Sequence, residues 1–262
     1  MARLPDHHRR YRADLRNGFV AVLLCGTALQ LVQPAFGQAA PFQMLPGDLQ
    51  NYVDGAAVPG PFQVTAADVK SAVVYSSGMT ASGPITENTD ESVIFTGTGS
   101  AGAANIITNK GGAARFYDNS TADSALITNN GTLQFSGDSS GAQAQIVTNE
   151  GSATVYTDRA SAGATNSATL TNNGVTVFLD QSGTGASKVT NNGSGELHFA
   201  NDAIIGNALE NSGLAVLSDN VSLGSNFVVN NTTGKMLLRG NTTAASADIA
   251  NSGTLVFAGA ST

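Results

Sequence analysis

The chain has few charged residues, no tryptophan and a single cysteine. Charged residues make up 12% of its 262 residues, and the cysteine is Cys25 near the N-terminus. One thiol cannot form an internal disulfide, so a disulfide-stapled fold is excluded. Beyond the N-terminal segment the sequence also lacks any long stretch with the amphipathic period of a helix. Because Gly, Asn, Ser and Thr are abundant and Val, Ile and Leu recur, we predict an all-β protein with many turns.

The first residues of the chain have the pattern of an export signal. Several arginines precede an apolar run from Phe19 to Val32, and small residues then end two A-x-A-like sites, at Gly37 and at Ala39. This order is typical of a secretory signal peptide, which we place at residues 1–37. The apolar run is too short for a membrane span, so the mature chain is predicted to be exported without one.

Cleavage of that peptide would leave an acidic chain without cysteine. Seven basic and 17 acidic residues follow residue 37, which gives a formal net charge of −10. Nucleic acids and anionic membranes are themselves negatively charged, so this balance disfavours both as partners.

Asparagine recurs at nearly constant steps along the rest of the chain. Successive steps are 20, 20, 23, 19, 20, 20 and 20 residues. An aliphatic residue stands two positions before each asparagine, a glycine follows, and a large apolar residue comes four positions after that glycine. The asparagines of this predicted ladder are Asn109, Asn129, Asn149, Asn172, Asn191, Asn211, Asn231 and Asn251.

The accompanying columns predict which side chains point inward. The aliphatic column, which includes Ile107, Val147 and Val229, is predicted to face a core. The second apolar column consists mostly of Phe and has Val155 in its third copy. Within one copy, Leu133 and Phe135 alternate with polar residues and therefore share a face.

A single copy of this repeat cannot bury its apolar positions, whereas stacked copies align them into continuous rows. We therefore predict a parallel β-helix of about eight to nine rungs, each of about 20 residues. The glycines are expected to supply a positive φ at a corner, and the asparagines to stack as an amide ladder. This gives the asparagines a structural role rather than a ligand-binding one.

The period divides the chain into a leader and a repeat domain. Residues 38–84 lack the period and contain five prolines, so we predict a linker and cap there. Residues 85–262 form the predicted repeat domain. Because an apolar strand over residues 254–257 comes shortly before the last residue, we expect the domain to be truncated at its C-terminus.

The signal peptide and the repeats beginning at Ile127 and Leu170 together resemble the passenger domains of autotransporters, the type V secreted proteins of Gram-negative bacteria. The resemblance covers about residues 85–262 and implies a right-handed β-helix. It also implies secretion through a C-terminal outer-membrane β-barrel, and display at the cell surface or release, often for adhesion. The sequence departs from the family because no barrel strands follow the repeats.

Three features of the sequence are candidates for sites of chemistry. An aspartate recurs after the second apolar column, where a turn role and a cation-binding role are both open. Ser139 and Ser140 lie in a Gly-Asp-Ser-Ser-Gly segment, but the mature chain has one histidine, His198, predicted to point outward. The basic residues are scattered over several repeat phases. The recurring aspartates are Asp118, Asp138, Asp158, Asp180, Asp202 and Asp219.

From these observations we predict no catalytic residue, no metal ligand and no cofactor. The expected function is that of an autotransporter-like passenger fragment at the cell surface, acting as a scaffold or adhesin toward an unknown surface ligand, a host glycan or a host protein. The alternative is a secreted β-helix polysaccharide lyase or hydrolase, which would need clustered carboxylates on one lateral face.

Overall fold

The computed structural model describes residues 71–262, so the predicted signal peptide and most of the predicted linker lie outside the described residues. The described chain contains nineteen short strands. In chain order they are β1 (Ser71–Tyr75), β2 (Ile85–Glu87), β3 (Glu91–Phe95), β4 (Asn105–Thr108), β5 (Ala113–Phe116), β6 (Leu126–Asn129), β7 (Thr132–Phe135), β8 (Gln145–Thr148), β9 (Ala153–Tyr156), β10 (Thr169–Asn172), β11 (Val175–Phe178), β12 (Lys188–Asn191), β13 (Glu196–Phe199), β14 (Leu209–Asn211), β15 (Leu214–Leu217), β16 (Phe227–Asn230), β17 (Lys235–Leu238), β18 (Asp248–Asn251) and β19 (Thr254–Phe257). The first strand falls inside the segment predicted as a linker and cap.

The strands form two parallel sheets that together make a β-solenoid. Odd-numbered strands build a ten-stranded sheet and even-numbered strands build a nine-stranded sheet, each in chain order. A third side is held by single parallel bridges that run from Thr80 to Thr243. The solenoid therefore has about nine turns, which confirms the all-β, stacked-repeat architecture expected from the asparagine period.

The interior is built from columns of equivalent residues in successive rungs. In the ten-stranded sheet the rings of Tyr75, Phe95, Phe116, Phe135, Tyr156, Phe178 and Phe199 stack face to face. Their centroids are 4.5 to 5.0 Å apart and their planes differ by 5 to 12°. Leu217, Leu238 and Phe257 continue the same column. This spacing is the distance between strands, so each ring packs on the ring of the next rung.

The register corrects the predicted inward columns in three rungs. Ile107, Val147 and Val229 point outward, while Ile106, Ile146 and Val228 beside them are fully buried. Likewise Tyr156 rather than Val155 stands in the ring column. The shift comes from alignment on asparagine, because in these rungs Thr108, Thr148 or Asn230 holds the inward position and the aligned asparagine stands one residue later. Since side chains alternate along a strand, an error of one residue exchanges the inner and outer faces.

The glycine column also has a different cause from the one expected. Gly131 and Gly213, which were predicted to supply a positive φ at the corner, do not have one. Among the predicted corner glycines only Gly151 has a positive φ, and it lies one position before the structural column. A Cβ built on Gly131 would overlap the carbonyl oxygens of Asn109 and Gly112, and one on Gly213 would overlap those of Asn192 and Gly195. Close approach of the preceding rung therefore excludes side chains at this corner.

Positive φ values occur instead at the corner that follows the ten-stranded sheet. Asp118, Asp158, Asp180 and Asp219 have φ between 57° and 65°, and Gly137 takes the equivalent place in its rung with φ 73°. Asp and Asn tolerate this region better than other side chains. The alternation of Asp with Gly at this corner thus follows from backbone conformation.

Candidate functional site

The asparagines predicted as one ladder lie in two adjacent columns. Asn129, Asn172, Asn191, Asn211 and Asn251 occupy an inward column at the end of the nine-stranded sheet's strands. The remaining three, Asn109, Asn149 and Asn231, stand one position later, at the corner. In their rungs the inward column is filled by Thr108, Thr148 and Asn230. An alignment on asparagine therefore passes from the inward column to the corner column wherever a threonine or a second asparagine holds the inward position.

The inner column forms a directional chain of buried amides in the later rungs. The Nδ2 of Asn172 donates to Oδ1 of Asn191 at 2.8 Å, and Asn191 donates to Asn211 at 2.7 Å. The chain continues from Asn211 to Asn230 at 2.8 Å and from Asn230 to Asn251 at 2.7 Å. Each Nδ2 also donates to a carbonyl at the start of a strand in the ten-stranded sheet, as Asn191 does to Leu214. Interior amides therefore bond both to the amide of the next rung and to the backbone at the start of the ten-stranded sheet's strands.

The outer column also consists of amide contacts, but it is partly exposed and interrupted. Asn149 donates to Asn130 and Asn192 donates to Asn173, each at 2.7 Å. Ser212 replaces asparagine in one rung and accepts from Asn231 at 2.9 Å. In both columns the side-chain amides thus bond to groups of the neighbouring rung.

The recurring aspartates hold the corner together in at least two rungs. One carboxylate oxygen of Asp118 accepts from the Thr96 hydroxyl at 2.6 Å and from the Gly97 amide at 3.0 Å. Asp158 makes the same pair of contacts with Ser136 and Gly137, at 2.8 and 3.1 Å. Asp138 and Asp202 stand one position further along, outside this arrangement. A turn role therefore accounts for the column at Asp118 and Asp158.

Asp138 makes the best-defined ion pair of the described chain. Two nitrogens of Arg159 donate to its two carboxylate oxygens, each at 2.6 Å. This hydrogen-bonded guanidinium lowers the pKa of Asp138 below its usual range. Both groups are on the surface, where such a pair contributes little to stability.

The residues considered for nucleophilic chemistry do not come together. Ser139 lies in the corner after β7, whereas His198 lies in β13, and β9 and β11 separate these strands in the sheet. Strand alternation places the His198 ring opposite Leu197, as expected, yet its side chain is only 1% exposed. Its Nε2 lies 3.6 Å from Oε2 of Glu196, and this contact lowers the pKa of the Glu196 carboxyl. Ser139 and His198 therefore cannot form a serine–histidine pair.

The outward face of the nine-stranded sheet is a regular surface that takes no part in the interior columns. Its central column contains mainly β-branched side chains, half-buried in the middle rungs and standing side by side at the strand spacing. Lys188 and Glu210 form an ion pair of 3.6 Å on this face, and Leu126 and Phe227 are about half exposed, at 48% and 50%. The central column consists of Thr86, Ile107, Thr128, Val147, Thr171, Thr190, Glu210, Val229 and Ala250.

Sequence reasoning did not identify this face. The signal was present as a two-residue alternation within each short strand, but the one-residue errors in three rungs assigned Ile107, Val147 and Val229 to the core. Once the register is known, these residues join Thr128, Thr171 and Thr190 in a single outward row.

Within residues 71–262, no three or more His, Cys, Asp or Glu side chains are arranged to hold a metal ion. The same part of the chain contains no helix that is long and apolar enough to cross a membrane. Comparisons with protein-family models, with curated proteins and with solved structures find no match to this chain.

Proposed function

We propose that this chain is a surface-exposed, autotransporter-like passenger segment that acts as a scaffold or adhesin. The observation that carries the proposal is that each rung uses one set of residues for contacts with neighbouring rungs and presents another set on its outer face. The asparagines, the stacked rings and the close-packed glycines are occupied by contacts between rungs. In the outward row of the nine-stranded sheet the only described polar contacts between rungs involve Glu210, and the remaining side chains offer a repetitive strip of methyl and hydroxyl groups to an extended ligand.

The composition of this strip supports ligand binding rather than catalysis. Its side chains are mainly Thr, Val and Ile, and its one described ion pair, Lys188 with Glu210, is exposed. The carboxylates of Asp118 and Asp158 are bonded at another corner and do not converge on this strip. Such a row can make many similar, weak contacts with one extended or repetitive ligand. Together these contacts give a higher avidity than any single contact.

The location is tested by labelling intact source cells with an antibody against the folded repeat. Staining of intact cells is expected, because a passenger is displayed outside the outer membrane. Staining that requires permeabilised cells would contradict the proposal.

Adhesion is tested with beads coated with the full chain and applied to a cultured epithelial monolayer. The double variant Thr171→Arg with Thr190→Arg should reduce bead attachment severalfold, because two long cations then stand in the outward row. The matched control is Gln181→Arg with Asn241→Arg, which adds the same charge at exposed corner positions. Equal attachment by both variants and the unmodified chain would remove the nine-stranded face from the proposal.

A further inference from the structure

Three Asn-Gly dipeptides lie in or beside the outer asparagine column, and the structure distinguishes sharply between them. They are Asn130-Gly131, Asn173-Gly174 and Asn192-Gly193. In an Asn-Gly pair the glycine amide nitrogen can attack the asparagine Cγ when both groups are free to move, because glycine offers no side chain to hinder the attack. The first two pairs form tight corners between strands, and the third lies in a longer turn.

Gly131 and Gly174 are held in the wall of the solenoid. The Gly131 amide donates to Oδ1 of Asn129 at 3.0 Å, so the attacking nitrogen is already engaged. Gly174 is buried, and a Cβ there would overlap the carbonyls of Asn149 and Ser152. The residues on both sides of it, Asn173 and Val175, donate their own amides to the preceding rung. Neither peptide can rotate without breaking contacts between rungs.

Gly193 lies in a different environment. Residues 192–195 form a four-residue turn that the Gly195 amide closes on the Asn192 carbonyl at 2.9 Å. Gly193 is exposed, and no atom lies within 4 Å of the place where its Cβ would be. Among the described residues its amide has no hydrogen-bond acceptor. The Asn192 side chain is held by one bond, from Nδ2 to Oδ1 of Asn173.

From this contrast we infer that Asn192 is a site of spontaneous deamidation and isoaspartate formation in the folded protein. The Gly193 nitrogen loses its proton and bonds to Asn192 Cγ, while the Cγ–Nδ2 bond breaks and ammonia leaves with that proton. Water then opens the resulting succinimide at either carbonyl, which gives aspartate or isoaspartate. No oxidant, cofactor or enzyme is needed.

The modification would alter the outer column and leave the inner ladder intact. A carboxylate at position 192 cannot donate to Oδ1 of Asn173 as the amide does, and it adds a negative charge beside the outward row of the nine-stranded sheet. The neighbouring inner amide, Asn191, is bonded to Asn172 and Asn211 and keeps its contacts. Because residues 193 and 194 are exposed, the turn can accept the extra backbone methylene of isoaspartate.

The test is to incubate the full chain at mildly alkaline pH and follow the three asparagines by peptide mass spectrometry, with isoaspartyl methyltransferase as a second readout. Asn192 should react at least about tenfold faster than Asn130 or Asn173, since their groups are held away from an attack geometry. In urea-unfolded chain the three rates should converge, because each asparagine then has the same neighbour. The variant Gly193→Ala should slow reaction at position 192 alone.

Deamidation rates of the three asparagines within about a factor of two of each other in the folded chain would overturn the inference. Restraint of the reacting groups by the fold should change these rates by a much larger factor. A difference that persists in urea would also overturn it, because the cause would then lie in local sequence. Either result leaves the proposed surface function unaffected.

Discussion

The early rungs of the solenoid differ from the late rungs in their interior contacts, which are stacked rings in the early rungs and a chain of bonded amides in the late rungs. From Tyr75 to Phe199 the ring column is unbroken, while the inward amide position is occupied by Glu87, Thr108, Asn129 and Thr148 in the first rungs. From Asn172 to Asn251 the amide chain is unbroken, while the rings give way to Leu217 and Leu238.

The difference shows that two kinds of interaction can stabilise one backbone. Stacked rings remove apolar surface from water and need only the strand spacing. Bonded amides need a partner in the rung before and in the rung after, and removal of one amide takes a hydrogen bond from buried polar groups of its neighbours. The two columns overlap in the rungs of Phe178 and Phe199, where Asn172 and Asn191 also lie.

The largest effect is expected from Phe135→Ala in the ring column. Phe135 is fully buried between Phe116 and Tyr156, so its loss leaves a cavity in the middle of the stack. The variant should lose about 3–5 kcal/mol of unfolding free energy, measured by urea denaturation of the full chain. Phe257→Ala is the control, because that ring is 47% exposed and should cost much less. A loss equal to that of the control would show that the stack contributes no stability.

The next effect is expected from Asn191→Ala in the amide chain. Its removal takes one of the two acceptors from Nδ2 of Asn172, which keeps its bond to the Glu196 carbonyl, and leaves Oδ1 of Asn211 without its donor. An unsatisfied buried group costs about 1–3 kcal/mol, and because Asn172 keeps one of its bonds the total loss should be about 2–4 kcal/mol. Asn231→Ala in the outer column is the matched control and should cost about 1 kcal/mol or less, because that amide is partly exposed. Equal losses would mean that burial does not separate the two columns.

A smaller effect separates the corner glycines of the late rungs. Gly213→Ala forces a methyl group into the carbonyls of Asn192 and Gly195, and should cost about 1–3 kcal/mol. Gly193→Ala, in the open turn nearby, should change stability by no more than about 0.5 kcal/mol. Thermal unfolding of both variants provides the measurement, and tolerance of Gly213→Ala would contradict the close approach of the rungs.

Tyr156→Phe is a change in the ring column that should raise the free energy of unfolding instead of lowering it. The Tyr156 hydroxyl is buried without a hydrogen-bond partner in the described chain, and burial raises the pKa of this phenol well above its usual value. Removing a hydroxyl of this kind should stabilise the protein by about 1 kcal/mol while the ring stacking is preserved. A destabilised variant would reveal a partner for the hydroxyl, most simply an ordered internal water.

The smallest effect concerns Glu87, which precedes the threonines and asparagines in the inward column. Burial, with a further contribution from Glu91, raises the pKa of this carboxyl. A folded-state pKa above that of the unfolded chain contributes stability that is fully present below the unfolded value and is lost as pH rises through the folded value. Glu87→Gln should therefore flatten the decline in unfolding free energy as pH rises from about 4.3, the usual pKa of an unfolded glutamate, through the raised folded-state pKa. An unchanged pH profile would show that Glu87 titrates normally.

The period of the sequence was enough to predict the architecture, but it did not fix the register. Phe135, Phe178 and Leu133 were placed correctly in the interior because alternation within one strand is local information. Ile107, Val147 and Asn149 were misplaced because alignment on asparagine shifts the register by one residue wherever another residue fills the inward position. In the structure successive ring positions are 18 to 22 residues apart.

The role of the corner residues shows the same limit from another side. The sequence indicates that Gly131 and Asp118 lie at turns, since both residue types favour them. Which of the two adopts a positive φ depends on the backbone path, and it is Asp118. Gly131 is needed because of carbonyls in the rung before it, which lie near it only after the rungs have stacked.

The amino-acid sequence by itself therefore determined that the repeat must stack, because a single copy has two apolar rows and nothing of its own to cover them. Tertiary structure alone decided which asparagines share a column, which face is outward, and which Asn-Gly pair lies in an open turn. These properties depend on what the neighbouring rungs place above and below each residue, and the registration of rungs is set by packing across the whole stack.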